Sequence, residues 1–245
     1  MNKYVLAVIV VVLGAGLVAG TGAVINVLAD YQPPEHAQAK GVATTPSGAV
    51  PHVYLTLDSF PDSPDGHPQW EKEHNYHLDR NGQIPVFEPH LDWVTYGPTT
   101  NLVVPAHSLV TITINNYDGG ESLLNDFYSN VRGTTNNQMT VNGKTMNGVP
   151  ADQVAHTFTI HGIPSAKQPW LFVNVPLQKI PDNIEEAGAD FGYPPHPNVI
   201  TFSFMVGGPG HYVWQCEYPC GTGYNGFGGP MMTHGYMNGN FDVVG

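Results

Sequence analysis

The sequence predicts an all-β chain, rich in turns and preceded by one apolar span, on three observations. Gly (28) and Pro (22) are abundant while charged residues make up only 11% of the 245, a composition that favours turns and strands over helices. β-Branched and aromatic alternation recurs, as in Val110-Thr-Ile-Thr-Ile114 and Val199-Ile-Thr-Phe-Ser-Phe-Met-Val206, the period-two signature of strands with a buried face. One stretch, Tyr4 to Ala29, runs 26 residues without a charge. A chain of this length holds one or two domains. We read 1–29 as a transmembrane anchor, 30–85 as linker and irregular cover, and 86–245 as one β domain with long loop insertions.

The N-terminal span is long enough to cross a bilayer as a helix. A cleaved signal peptide, the alternative, has a shorter apolar core. Lys3 before the span and acidic residues after it orient the N-terminus to the cytoplasm, so the bulk of the chain is expected on the extracytoplasmic side of a cell membrane. Gly16-Leu-Val-Ala-Gly20 has the small-xxx-small spacing that lets a second transmembrane helix approach. Residues 30–85 show only a short alternation, Val53-Tyr-Leu-Thr-Leu57. His67, His74 and His77 fall here, and although His74-x2-His77 has ligand spacing, a surface loop is the expected reading.

From Asn101 a strand pair is expected, turning at Pro105-Ala-His-Ser108 and followed by a polar insert from Gly119 to about Pro150. Asp152-Gln-Val-Ala-His-Thr-Phe-Thr-Ile-His161 then alternates so that His156, Phe158 and Ile160 face inward and Ala155, Thr157 and Thr159 the other way. An inward histidine there reads as a satisfied core residue or as a ligand, and His161 at the strand end is a weaker candidate. Residues 164–197 are Pro-rich, with a short helical turn expected at Glu185–Asp190. Strands follow at 199–206 and at Tyr212–Cys216 after Gly207-Gly-Pro-Gly.

Within 22 residues near the C-terminus lie Cys216-x3-Cys220 and His234-x2-Met237. Thiolate and thioether are soft ligands and imidazole is borderline, a mixture that selects copper over magnesium, calcium or manganese. A Cys216–Cys220 disulfide is the alternative in an oxidising compartment, but it accounts for neither His234 nor Met237.

Gly210-x-Tyr212-x-x-Gln215-Cys216-x3-Cys220-Gly221, followed by His234-x2-Met237, resembles the copper loop of cytochrome c oxidase subunit II, the family with a binuclear CuA centre. Asp152-x3-His156-x-Phe158 resembles that family's first ligand strand, and the strand order over 86–245 resembles a cupredoxin, a Greek-key β-sandwich or barrel. The departure is the gap, Gly221 to Thr233, where the family has only a few residues. The resemblance implies thiolates of Cys216 and Cys220 bridging two coppers, His156 and His234 each terminating one, Met237 as a weak ligand, and the backbone carbonyl of Tyr218 as a further one. The family's Glu is replaced by Tyr218, with Glu217 one position earlier, a departure from its adjacent magnesium site. Trp93-Val-Thr-Tyr96 is an approximate counterpart of its aromatic patch for electron uptake, and Trp93 reads equally as core.

The implied function is electron transfer from an external donor, a c-type cytochrome or small copper protein, to the catalytic subunit of a haem–copper oxidase. A free-standing blue copper carrier using His156, Cys220, His234 and Met237 is the alternative, and a metal-free structural subunit a third. No residue pattern reads as a general acid, base or nucleophile. The net charge of −12 argues against a nucleic-acid partner and suits a basic one, although acidity that serves only solubility has the same composition.

Overall fold

The alternation at Val110, Ile112 and Ile114 becomes a strand through the middle of a sheet. The computed structural model describes residues 34–46, 48–62, 93–120, 126–162, 167–181, 183–184, 193–218, 220 and 228–245. In chain order the strands are β1 (Glu35–His36), β2 (Gln38–Thr45), β3 (Gly48–Phe60), β4 (Thr95–Gly97), β5 (Leu102–Pro105), β6 (Leu109–Asn116), β7 (Met139–Val141), β8 (Lys144–Met146), β9 (Val154–His161), β10 (Phe172–Gln178), β11 (Asn198–Met205), β12 (Gly210–Gln215) and β13 (Asn238–Val244). One sheet runs β1-β5-β13-β12-β9-β10 and the other β2-β3-β6-β11-β7-β8, with β4 on the flank of β3.

The inward rows of both sheets meet in one core. Leu55, Leu57, Ile112, Ile114, Phe202 and Phe204 from one layer lie with Phe158, Ile160, Trp214 and Phe241 from the other. Rings cross the interface, Phe158 on Phe202 at 6.0 Å and Phe204 on Phe241 at 5.8 Å. Each such side chain contributes about 1.5–3 kcal/mol by leaving water, which holds the layers face to face. The described residues are all-β apart from short helical turns.

Several sequence expectations change. β5 and β6 form where the strand pair is expected but do not pair with each other. β5 lies parallel to β13 and β6 parallel to β3, because the turn at 105–108 carries the chain from one layer to the other and lets both apolar rows face the same core. Residues 35–60, read as linker and cover, are strands. β3 runs in register with β6 from His52 to Ser59, and β2, largely exposed, forms through its backbone pairing with β3. The polar insert holds the hairpin β7–β8, turned by Asn142 (φ 49°) and Gly143 (φ 80°), the two left-handed positions that a tight hairpin needs. The Pro-rich stretch contains β10, whose Pro176 is tolerated because β10 is an edge strand.

β9 is buried on both faces rather than one. The insert covers its second face: Asn174 of β10 donates to the carbonyls of Tyr128 (3.1 Å) and Asn130 (2.8 Å), and Thr159 donates to Asn174 Oδ1 at 2.8 Å. The apolar span at Tyr4–Ala29, His67, His74, His77 and the turn at 185–190 lie outside the described residues. Among the described residues no helix is long and apolar enough to cross a membrane.

Candidate metal centre

Alternation along β12 buries Tyr212 and Trp214, and the next residue of that row is Cys216, just past the strand end. β9, beside β12, presents His156. The loop that leaves β12 is tied to its surroundings by backbone bonds: Cys216 N–H to Met237 O (3.0 Å), Met237 N–H to Pro230 O (3.0 Å) and Gly228 N–H to Cys220 O (2.6 Å). Glu217 N–H adds a bond to Thr157 Oγ1 at 2.8 Å.

These strands bring His156, Cys216 and Cys220 together, all buried, with their ligand atoms within 4.8 Å of one another. His156 Nδ1 stands 3.1 Å from Cys220 Sγ, and the two sulfurs are 3.6 Å apart. That separation is well beyond the roughly 2.05 Å of a disulfide, so the two are thiols. Tyr218 O lies 3.3 Å from the sulfur of Cys216 and 3.2 Å from that of Cys220. Thr157 N–H donates to Cys216 Sγ at 3.4 Å.

Behind the histidine stands Asp118, which the sequence reading passed over. Its carboxylate accepts from His156 Nε2, leaving Nδ1 to face the sulfurs, the arrangement by which an outer carboxylate orients a ligating imidazole. Asp118 is itself held by Gly120 N–H, which donates to Oδ1 at 2.9 Å. The readable signal was the Asn116-Tyr-Asp118 step at the end of β6. Burial opposes a charge on His156, but the Asp118 carboxylate, aided by Cys216, outweighs it and pushes the pKa up to about 10. Burial would also raise the Cys216 thiol, yet hydrogen bonds from Cys220 and His156, with the histidine charge and Thr157 N–H, hold it well below the ordinary thiol range.

The other predicted residues stand as follows. Met237 is buried beside the centre, bonded to Cys216 through its backbone. His234 does not join the cluster. It is exposed, its Nε2 3.0 Å from Asn101 Oδ1, and partial burial holds its pKa down against a hydrogen bond with Asn238. His161 faces Glu217 at 3.7 Å, and Glu217 also accepts from Gln215 Nε2 at 3.3 Å. Tyr96 is buried at 1% exposure and so presents no surface patch, while half-buried Trp93 sets its edge against Tyr236 at 5.0 Å.

Two buried sulfurs, an imidazole nitrogen and a carbonyl oxygen within an apolar shell fit a soft or borderline cation such as copper. Hard cations such as calcium need a cage of oxygens. No family model matches the chain, and no curated protein does. Solved structures similar to it include auracyanin B, at 11% identity over 85% of this chain and 98% of that one, and reduced rusticyanin, at 11% over 84% and 89%. Both have a TM-score of 0.29, a likeness too distant to bear on function.

Proposed function

We propose that the chain is a copper electron-transfer protein of cupredoxin type, and more specifically a membrane-anchored subunit with a binuclear CuA centre. On this reading it passes electrons from an external, basic donor to the catalytic subunit of a haem–copper terminal oxidase. It is anchored by Tyr4–Ala29 with its β domain on the extracytoplasmic side. The observation that carries the reading is the pair of buried cysteine sulfurs, unbridged and 3.6 Å apart, with one carbonyl, that of Tyr218, within 3.3 Å of both. A pair so disposed suits two bridging thiolates.

Copper, when bound, supplies a one-electron couple. The chain's part is to keep the ligand shell still between the two states. His156 and Cys216 sit on or at the end of adjacent paired strands, and Asp118 fixes the imidazole ring. Trp214, stacked on Phe158 at 4.6 Å, belongs to the apolar wall that keeps water from the sulfurs. His234 and Met237 complete the proposed set, His234 by leaving Asn101.

A one-copper site is the second reading, favoured by the 3.1 Å approach of His156 Nδ1 to Cys220 Sγ while Cys216 Sγ also accepts the Thr157 N–H. The test is copper content and the visible and near-infrared spectrum of full-length protein extracted in mild detergent, with Cys216→Ser and Cys220→Ser alongside. Two coppers per chain, and loss of the native spectrum in both variants, is the expected result. One copper with an intense blue band that survives Cys216→Ser would replace the binuclear reading with the blue copper one. Recovery of the full-length chain without detergent would remove the anchor.

A further inference from the structure

Two buried hydroxyls, Tyr96 Oη and Ser59 Oγ, lack a hydrogen-bond partner other than each other among the described residues. Their residues are 1% and 0% exposed. They pair in register across β4 and β3, and Ser59 pairs on its other side with Asn116 of β6, so the three occupy one row across the sheet. Asn116 donates Nδ2 to the carbonyl of Asp118 at 2.9 Å, and Asp118 holds His156. The row therefore runs up to the candidate metal centre.

The tyrosine ring meets the centre from the other layer as well. It stands edge-on to Trp214 at 4.8 Å and lies 6.3 Å from Phe158. Trp214 is two positions from Cys216, and Phe158 two from His156, so each shares a strand side with a candidate ligand. Tyr96 belongs to the same buried cluster as both cysteines. Buried hydroxyls without partners are rare because the lost hydration goes uncompensated. The Tyr96 hydroxyl, with none but Ser59, shares its buried cluster with two sulfurs that are negatively charged when they bind metal.

We infer that Tyr96 is a positioning residue of the copper centre, its hydroxyl donating toward the thiolate cluster once copper is bound; this rests on the copper reading above. The phenol keeps its proton. Burial first, then the charge of Cys216, with Cys220 and Asp118 adding to it against the neighbouring Ser59 hydroxyl, hold its pKa well above the usual phenol range. A hydrogen bond to a ligating sulfur favours the reduced, more electron-rich state, and so raises the reduction potential.

Tyr96→Phe keeps the ring and removes only the hydroxyl. The measurements are copper content, midpoint potential by spectroelectrochemical titration, and thermal midpoint of the metal-free protein, all on the full chain. We expect unchanged copper content and a metal-free thermal midpoint close to that of wild type, since the hydroxyl has no described partner there other than Ser59. The preference for Cu(I) over Cu(II) should fall roughly tenfold, a potential about 59 mV more negative for a one-electron couple. Equal potentials in the two copper-loaded proteins would overturn the inference. A variant that fails to fold without metal would assign the hydroxyl a structural role and overturn it too. Wild type that binds no copper would sink the copper reading itself, a failure recognisable before the variant is compared.

Discussion

Asp118 determines which nitrogen of His156 faces the sulfurs. It is 4% exposed and accepts from both the imidazole and the part-buried Gly120 N–H, so its removal takes the acceptor from a buried imidazole. Losing one partner of a buried charged pair costs about 3–5 kcal/mol. Asp118→Ala in the metal-free protein should lower the unfolding free energy by that amount, read as a lower urea midpoint with the slope unchanged, and copper should bind more weakly because the ring is free to turn. Retention of wild-type stability would show that the contact contributes little and that His156 is oriented by its strand alone.

At the scale of elements, β13 and β12 carry the centre between them, and their fit turns on Gly239. It pairs with Trp214, and a Cβ at this position would lie 1.9 Å from Thr100 O, the acceptor of the Trp214 Nε1–H bond of 2.8 Å. Only a residue without a side chain allows Thr100 to reach the indole. Gly239→Ala should therefore displace Thr100, break that bond and destabilise the protein by about 1–3 kcal/mol through overpacking, read as a lower thermal midpoint with a shift in Trp fluorescence. If both stay at wild-type values, the segment before β5 yields without cost. The same closeness explains why Cys216 is delivered with so little freedom, since its own N–H is bonded to Met237 O at the start of β13.

For the whole molecule, the net charge of −12 sets how a redox partner arrives. Opposite charge accelerates encounter over roughly a Debye length, about 8 Å at physiological ionic strength. Stopped-flow reduction of the copper-loaded protein by a basic c-type cytochrome should slow steeply as salt rises. Rates that stay flat from low to high salt would take the acidic surface out of the docking step and leave apolar contacts to perform it.

What the sequence alone determined is what local pattern and residue chemistry encode. Period-two rows at Val110–Ile114 and Val199–Val206 read directly as strands because each strand has one face on the core. Cys216 and Cys220 read as soft donors from their residue type, and His156 joined them through the resemblance of its strand to a ligand strand. Tertiary structure alone decided what depends on distant partners. β2 carries no periodic signal and exists through its pairing with β3. β10 hides a proline that only its edge position permits. The outer face of β9 is buried because an insert read as a loop folds over it. Asp118 and Tyr96 lie 38 and 60 positions before His156 in the chain, and they reach the centre only through the registers of β6, β3 and β4. His234 was readable as a ligand type, but its place against Asn101 is set by the path of the chain after the loop. Sequence spacing specifies which donors are present, whereas register and turn geometry specify which of them meet.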